Sequence, residues 1–95
     1  MSDHITELAR VICSHVRGED KPGTDDDLQL FRLYAVLARA KGDAVTAEDV
    51  HDAWCAWMYD RDPNHEALIP FRELTSEQRA LDDPLVAAIR AAATS

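Results

Sequence analysis

Glycine and proline are scarce in this chain of 95 residues, which contains three glycines and four prolines. A protein built from many short strands needs frequent turns, so this scarcity argues against an all-β fold. Apolar runs are short as well, and none approaches the roughly 20 residues that cross a bilayer. The first residues, Met1 to His4, lack the basic and apolar regions of a signal peptide. We therefore expect a cytoplasmic protein with no membrane-spanning helix.

Cysteine is limited to Cys13 and Cys55, both inside predicted helices. His51 and Cys55 are four residues apart, a spacing suited to two metal ligands, and the loop can bring His65 close. A zinc site still needs a fourth ligand, and the chain has no Cys-x-x-Cys pair. Acidic neighbours raise a thiol pKa, so Asp49 and Asp52 disfavour Cys55 as a nucleophile. We predict no metal, no cofactor and no enzymatic activity.

Positive charge is also scarce, because 18 acidic residues outnumber 10 basic ones and give a net charge of −8. The basic residues never cluster, so we predict no direct nucleic-acid binding. Two alternatives follow from the acidity: a face that docks on a basic partner, or a mimic of nucleic acid whose affinity falls with salt. Eight of the ten basic residues are arginine and alanine is common, which suggests an actinobacterium or one of its phages.

What the sequence does contain is helical periodicity, which predicts one all-α domain, a small bundle of four to five helices. An N-terminal helical pair spans about residues 3–41, with Ser2 or Asp3 capping the first helix. Residues 19–23 form the predicted loop between the two helices. The second helix, from Thr24, is apolar nearly all round, so it is either central in the fold or one face of a homodimer. Three aspartates at its start suit the helix dipole, and their spacing does not match a calcium loop.

The third helix begins at Thr46 in a pattern that resembles a capping box. Its apolar face includes Trp54 and Trp57, and Pro70 predicts that residues 67–71 are extended and packed on this helix. We expect Ile69 and Phe71 to share one interior with the two tryptophans. Residues 75–78 open a short fourth helix. Asp82 or Asp83 caps a final helix that has Pro84 at its first position, and residues 91–95 fray.

Residues 50–54 match the pattern [V/I]-H-x-x-W, and residues 65–74 resemble H-P-x-L-[V/I]-P-[Y/F]-x-x-L. Arg79 and Asp82 fit the polar positions that follow. Together these residues resemble the RyR repeat, a helical module named for ryanodine receptors, over Val50–Asp82, within a module of about residues 46–90. Glu66 replaces the usual proline, and a Gly-Trp-x-Tyr-Gly stretch of the family is missing. The resemblance implies a helical, non-catalytic module of bacterial or phage origin, and it places His51 and His65 at the two family histidines.

The function that we expect is protein–protein interaction, by a small phage-encoded protein that binds a host protein in the bacterial cytoplasm. Candidate contact residues are the exposed polar ones around the second and third helices: Arg32, Arg39, Asp52 and Tyr59. The alternative is a module that binds a small or nucleotide-like molecule through His51, Trp54 and His65. On this second interpretation Trp54 is a stacking platform, and on the first it is core. We expect at least one histidine to hydrogen-bond the backbone near Pro70.

Overall fold

Five α-helices make up the fold in a computed structural model that describes residues 3–18 and 24–94. They are α1 (His4–Arg17), α2 (Asp25–Lys41), α3 (Ala47–Tyr59), α4 (Ser76–Ala80) and α5 (Asp83–Thr94). Single 3-10 turns cover Gly42–Ala44 and Phe71–Glu73. Neither described stretch contains a strand. The predicted all-α bundle of four to five helices is therefore confirmed.

The helices begin where their capping residues predict. The Asp3 carboxylate caps α1 by accepting the Thr6 N–H at 2.7 Å. Thr24 and Thr46 each form a reciprocal capping box with the aspartate three residues later, which satisfies N–H groups that the first helical turn leaves unpaired. Gly42 ends α2 at φ 58°, a backbone conformation that favours glycine. Ser2 and the predicted loop 19–23 lie outside the described residues.

The helix α2 is the central element of the bundle, because α1, α3 and α5 all pack against it. Four of its side chains are buried: Phe31, Tyr34, Ala35 and Ala38. Most of the apolar surface that the sequence left unassigned is thus covered within the monomer. Leu33 and Val36 are the exceptions, with exposed fractions of 36% and 51%.

The core lies between α1, α2 and α5 and consists largely of small and aliphatic side chains. Ile12 and Ile89 are fully buried, and alanines of all three helices fill the space around them. Ala92 is buried and Ala93 packs on the same core, so the expected fraying of residues 91–94 is wrong. The helix continues to Thr94 because this alanine-rich face packs against its neighbours.

The expectation that the tryptophans form the interior is wrong. Trp54 and Trp57 are half-buried and lie outside the core cluster. The Trp57 indole N–H donates to the carbonyl of Asp26 at 3.1 Å, and the Arg61 guanidinium covers the ring at 4.1 Å. Trp54 lies instead beside His51. Alanines let α1, α2 and α5 approach closely, so the larger rings of α3 are left at the rim of the core.

The segment before α4 crosses α3 as predicted, but the expected extended conformation of residues 67–71 is wrong at both ends, because Ala67 lies in a turn and Phe71 begins a 3-10 turn. Pro70 has the extended angles φ −56° and ψ 144°. The ring nitrogen Nε2 of His51 lies 2.7 Å from the carbonyl oxygen of Ile69. Phe71 packs near the same histidine, with ring centroids 6.1 Å apart. No helix of the described residues is long and apolar enough to cross a bilayer.

Candidate functional site

A cavity of about 390 Å³ opens between α3, α4 and the segment that joins them. We call it the α3–α4 cavity. Side chains of α2 and α3 line it together with the loop at His65 and the junction of α4 and α5. Its polar or aromatic lining residues are Tyr34, His51, Trp54, His65, Glu66, Gln78 and Asp82. Its size lies at the lower end of the range of small-molecule pockets, roughly 300–1,000 Å³.

His51 anchors the loop to the inner wall of the cavity. Its side chain is buried, with an exposed fraction of 4%. The short contact to the Ile69 carbonyl requires a proton on Nε2, so the ring donates there. The Cys55 sulphur shares this nitrogen at 3.3 Å. The expected histidine–backbone hydrogen bond near Pro70 is thus confirmed for His51.

Trp54 forms the aromatic wall of the cavity and is held between two histidines. The His51 ring stacks near it at a centroid distance of 5.8 Å and an angle of 22°. The His65 ring meets it edge-on at 5.0 Å and 82°. His65 accepts the Ala67 N–H at Nδ1, so a neutral ring carries its proton on Nε2. These contacts fix the indole plane without covering the whole ring.

Tyr34 lines the cavity and carries a polar group without a hydrogen-bond partner. The residue is 1% exposed, and its hydroxyl has no hydrogen-bond partner among the described residues. Burial raises the pKa of this phenol, and the nearby charge of Asp82 raises it further. A buried hydroxyl without a partner loses its hydration and gains nothing in return. Such groups are rare, and one that lines a cavity is typical of a binding site.

Asp82 supplies the charge of the cavity from the turn between α4 and α5. Its carboxylate is half-buried and accepts no hydrogen bond within the described stretches. Burial raises the pKa of Asp82, attraction to His51 lowers it, and repulsion from Asp83 raises it. The carboxyl group has thus lost part of its hydration, and no hydrogen bond from the described residues compensates this loss.

Cys55 lies outside this cavity, on the far side of the His51 ring. Burial raises the pKa of its thiol, and the charges of Asp52 and Asp82 raise it further. A raised pKa reduces the thiolate fraction at neutral pH, which disfavours nucleophilic chemistry. Among residues 3–18 and 24–94, no three histidine, cysteine or acidic side chains lie close enough together to hold a metal ion.

Comparison with known families gives one match, to the family described as "Domain of unknown function (DUF7701)", over residues 3–94. The chain belongs to this family. No curated protein and no solved structure matches the chain. Because the match covers both the core and the α3–α4 cavity, the two form parts of one DUF7701 domain.

The cavity of this DUF7701 domain brings together three of the seven residues that the sequence singled out: His51, Trp54 and His65. The other four lie elsewhere. Arg32 is 3.8 Å from Asp3, and Arg39 borders a separate hollow beside α1 and α5. Asp52 and Tyr59 lie on the outer face of α3, along a shallow groove beside residues 68–70. These four therefore do not form one continuous contact surface.

Sequence reasoning did not assign Tyr34, Gln78 or Asp82 to a site in this DUF7701 domain. Tyr34 is a regular member of the apolar pattern of α2, which gives no sign that this residue lines a cavity. Gln78 belongs to the Thr75 capping box, and that role alone explains its presence. Asp82 carried a usable signal, because it occupies one of the polar positions shared with the RyR repeat.

Proposed function

We propose that this DUF7701 domain binds a small molecule in the α3–α4 cavity. The observation that carries the proposal is Tyr34, which lines a cavity that has an aromatic wall and whose buried hydroxyl has no partner among the described residues. A core position rarely keeps such a group, since phenylalanine fills the same space at lower cost. A cavity with a few convergent polar groups is the usual form of a ligand site.

The resemblance to the RyR repeat adds support to this proposal. Its matched positions include His51, Trp54 and His65, and all three line the α3–α4 cavity. A larger hollow of about 610 Å³ lies beside Arg39, between α1 and the ends of α2 and α5. It has no tryptophan, tyrosine or phenylalanine in its lining. Aromatic side chains supply much of the contact area in small-molecule sites, so this hollow is the weaker candidate.

The two tryptophans provide the test, because Trp54 lines the cavity whereas Trp57 does not. Each indole N–H gives its own NMR resonance, which the variants Trp54→Phe and Trp57→Phe assign. A fragment library at millimolar concentration should contain compounds that shift the Trp54 resonance and leave the Trp57 resonance in place. A library that never moves the Trp54 resonance would contradict the proposal.

Filling the cavity gives a matched control. Ala67 lines the α3–α4 cavity, whereas Ala56 lies on the exposed side of α3. Ala67→Phe should therefore abolish the shift of the Trp54 resonance, and Ala56→Phe should leave it intact. Equal loss of binding in both variants would show that the ligands recognise another surface.

A second proposal is that a phage-encoded copy of this domain binds a host protein in the bacterial cytoplasm, through the outer face of α2. The observation that favours it is the exposure of Leu33 and Val36 on that face. Capture of a partner from lysate should be lost in Leu33→Glu/Val36→Glu and kept in Gln29→Glu. Light scattering separates this from a homodimer, because a dimer doubles the mass of the purified protein. The acidic mimic of nucleic acid is weaker, since ion pairs already engage Asp3, Asp26, Asp27 and Asp49.

A further inference from the structure

The charged lining of the α3–α4 cavity has one sign. Asp82 and Glu66 line the cavity, and no lysine or arginine does. A phosphate group needs cationic or N–H donors around it, and a cavity with two carboxylates repels it. This excludes phosphorylated ligands, such as nucleotides, from the molecules that this site fits. A ligand matched to the lining is neutral or positively charged.

Asp82 differs from three other aspartates of the chain in that its carboxylate has no basic partner. Asp26, Asp27 and Asp49 each have a basic partner: Arg61, Arg17 and Lys41 respectively. The Asp82 carboxylate has no hydrogen bond or ion pair within residues 3–18 and 24–94, and burial raises its pKa, whereas the pKa values of the other three are lowered. Burial of a charge is unfavourable unless a partner compensates it. A cation bound in the cavity would supply such a partner.

The surroundings of Asp82 indicate what kind of cation fits. Trp54 supplies an aromatic wall to the same cavity, and aromatic rings attract cations through their faces. A metal ion does not fit this description, because the described residues contain no group of three histidine, cysteine or acidic side chains that could hold one. The cavity of about 390 Å³ is far larger than a bare ion needs. An organic cation with an apolar body uses both the carboxylate and the indole.

We infer that the α3–α4 cavity recognises a small organic cation, a primary ammonium or guanidinium compound, with the Asp82 carboxylate as its counter-ion and Trp54 as its aromatic wall. The inference rests on the proposed function of the cavity. The N–H donors of the ligand hydrogen-bond the carboxylate. Tyr34 also lines the cavity, and its unpaired hydroxyl is an independent sign that polar groups of the lining residues lack partners.

A series of three probes with one shape and different charges tests the inference. Benzylamine is a cation at neutral pH, benzyl alcohol is neutral, and benzoate is an anion. Each is titrated against the full chain, with the Trp54 indole resonance as the readout. We expect benzylamine to bind about tenfold or more tightly than benzyl alcohol, as a charge-assisted hydrogen bond implies, and benzoate not to bind.

The variants Asp82→Asn and Asp83→Asn separate the site from the general acidity of the chain. Both remove one negative charge from adjacent positions, but only Asp82 lines the cavity. Asp82→Asn should bring benzylamine to within about threefold of benzyl alcohol, whereas Asp83→Asn should keep about a tenfold preference. Equal weakening in both variants overturns the inference, because the selectivity then comes from net charge.

The inference and the proposed function fail in different ways. If benzyl alcohol or benzoate moves the Trp54 resonance at a lower concentration than benzylamine, the cavity binds ligands but not by charge. The inference is then overturned, and the proposed function stands. If neither these probes nor the fragment library moves the resonance, both are overturned.

Discussion

Two regions of the molecule differ in how completely their side chains are buried and paired: the core between α1, α2 and α5, and the α3–α4 cavity. In the core, the fully buried side chains of Ile12 and Ile89 are closely packed by alanines, and the buried rings of Phe31 and Tyr34 meet edge-on. Around the cavity, large rings such as Trp54 stay half-buried, and polar groups at Tyr34 and Asp82 lack partners. Stability alone would favour the reverse, with the indole in the core and the unpaired groups removed. The difference suggests that the core holds the fold together and the cavity keeps a binding site.

The largest effect that this comparison predicts is in the core. Ile89→Ala removes a fully buried side chain, and we expect a loss of about 2–5 kcal/mol in the free energy of unfolding. Trp54→Ala deletes more atoms but should cost less, because its ring is half-buried. Val36→Ala, at a position 51% exposed, is the control and should change stability by less than about 0.5 kcal/mol. Urea unfolding measures all three, and a larger loss for Trp54→Ala than for Ile89→Ala would contradict the comparison.

His51 is the point where the cavity depends on a structural hydrogen bond. His51→Phe leaves the Ile69 carbonyl without its donor, and we expect a loss of about 1–3 kcal/mol. Hydrogen exchange should increase most at residues 65–74, which the histidine holds against α3. His15→Phe makes the same change at an exposed position of α1 and should be nearly neutral. Unchanged exchange in the loop of the His51 variant would mean that other contacts hold it.

Substitution of Tyr34 should increase the free energy of unfolding, whereas the two preceding substitutions decrease it. Tyr34→Phe removes a buried hydroxyl that has no partner within the described stretches, so we expect a gain of up to about 1 kcal/mol. Tyr59→Phe, at a position 64% exposed, should change little. Thermal unfolding compares the two. A loss of more than about 1 kcal/mol at Tyr34 would show that its hydroxyl has a partner in solution.

How far the sequence predicts this molecule depends on the range of the interactions involved. The caps at Thr24, Thr46 and Thr75 are local, since each links residues three positions apart, and the helix starts were predicted from them. The environment of Trp57 is set by Asp26, which lies 31 positions away in sequence, and helical periodicity gives no information about such a contact. The tryptophans were therefore assigned to the core from their size and their place on the apolar face of the third helix.

The same limit explains what could be predicted of the cavity. His51, Trp54 and His65 were identified because they lie within one patterned stretch of sequence. Tyr34 comes from α2, and the charge at Asp82 follows α4, so only the packing of separate helices unites them. The sequence also gives no sign that the Tyr34 hydroxyl lacks a partner, because that depends on the position of every neighbouring group.

The smallest predicted effect concerns Asp82, and its sign depends on pH. Burial raises the pKa of Asp82 in the folded chain above the ordinary value of 3.8, so the folded state binds the proton more tightly than the unfolded state. Stability is therefore not reduced by this group below pH 3.8, and it falls as the pH rises through the raised pKa. Asp82→Asn removes the penalty. Solvent screens the half-exposed carboxylate, so we expect a gain near pH 7 of a few tenths of a kcal/mol, about 1–3 °C in Tm.

The difference in Tm between Asp82→Asn and wild type should shrink toward zero as the pH falls below 3.8. Asp3, Asp26, Asp27 and Asp49 have lowered pKa values and lose their stabilising ion pairs in acid, but they do so equally in both proteins. Asp83→Asn should instead lower Tm slightly near pH 7, because this exposed carboxylate lies in the first turn of α5, where the helix dipole favours negative charge. If Asp82→Asn is more stable than wild type and also loses the preference for benzylamine, the same carboxylate both lowers the stability of the free protein and binds the cation. A destabilised Asp82→Asn would mean that the carboxylate has a partner within the folded chain and has no need of a ligand.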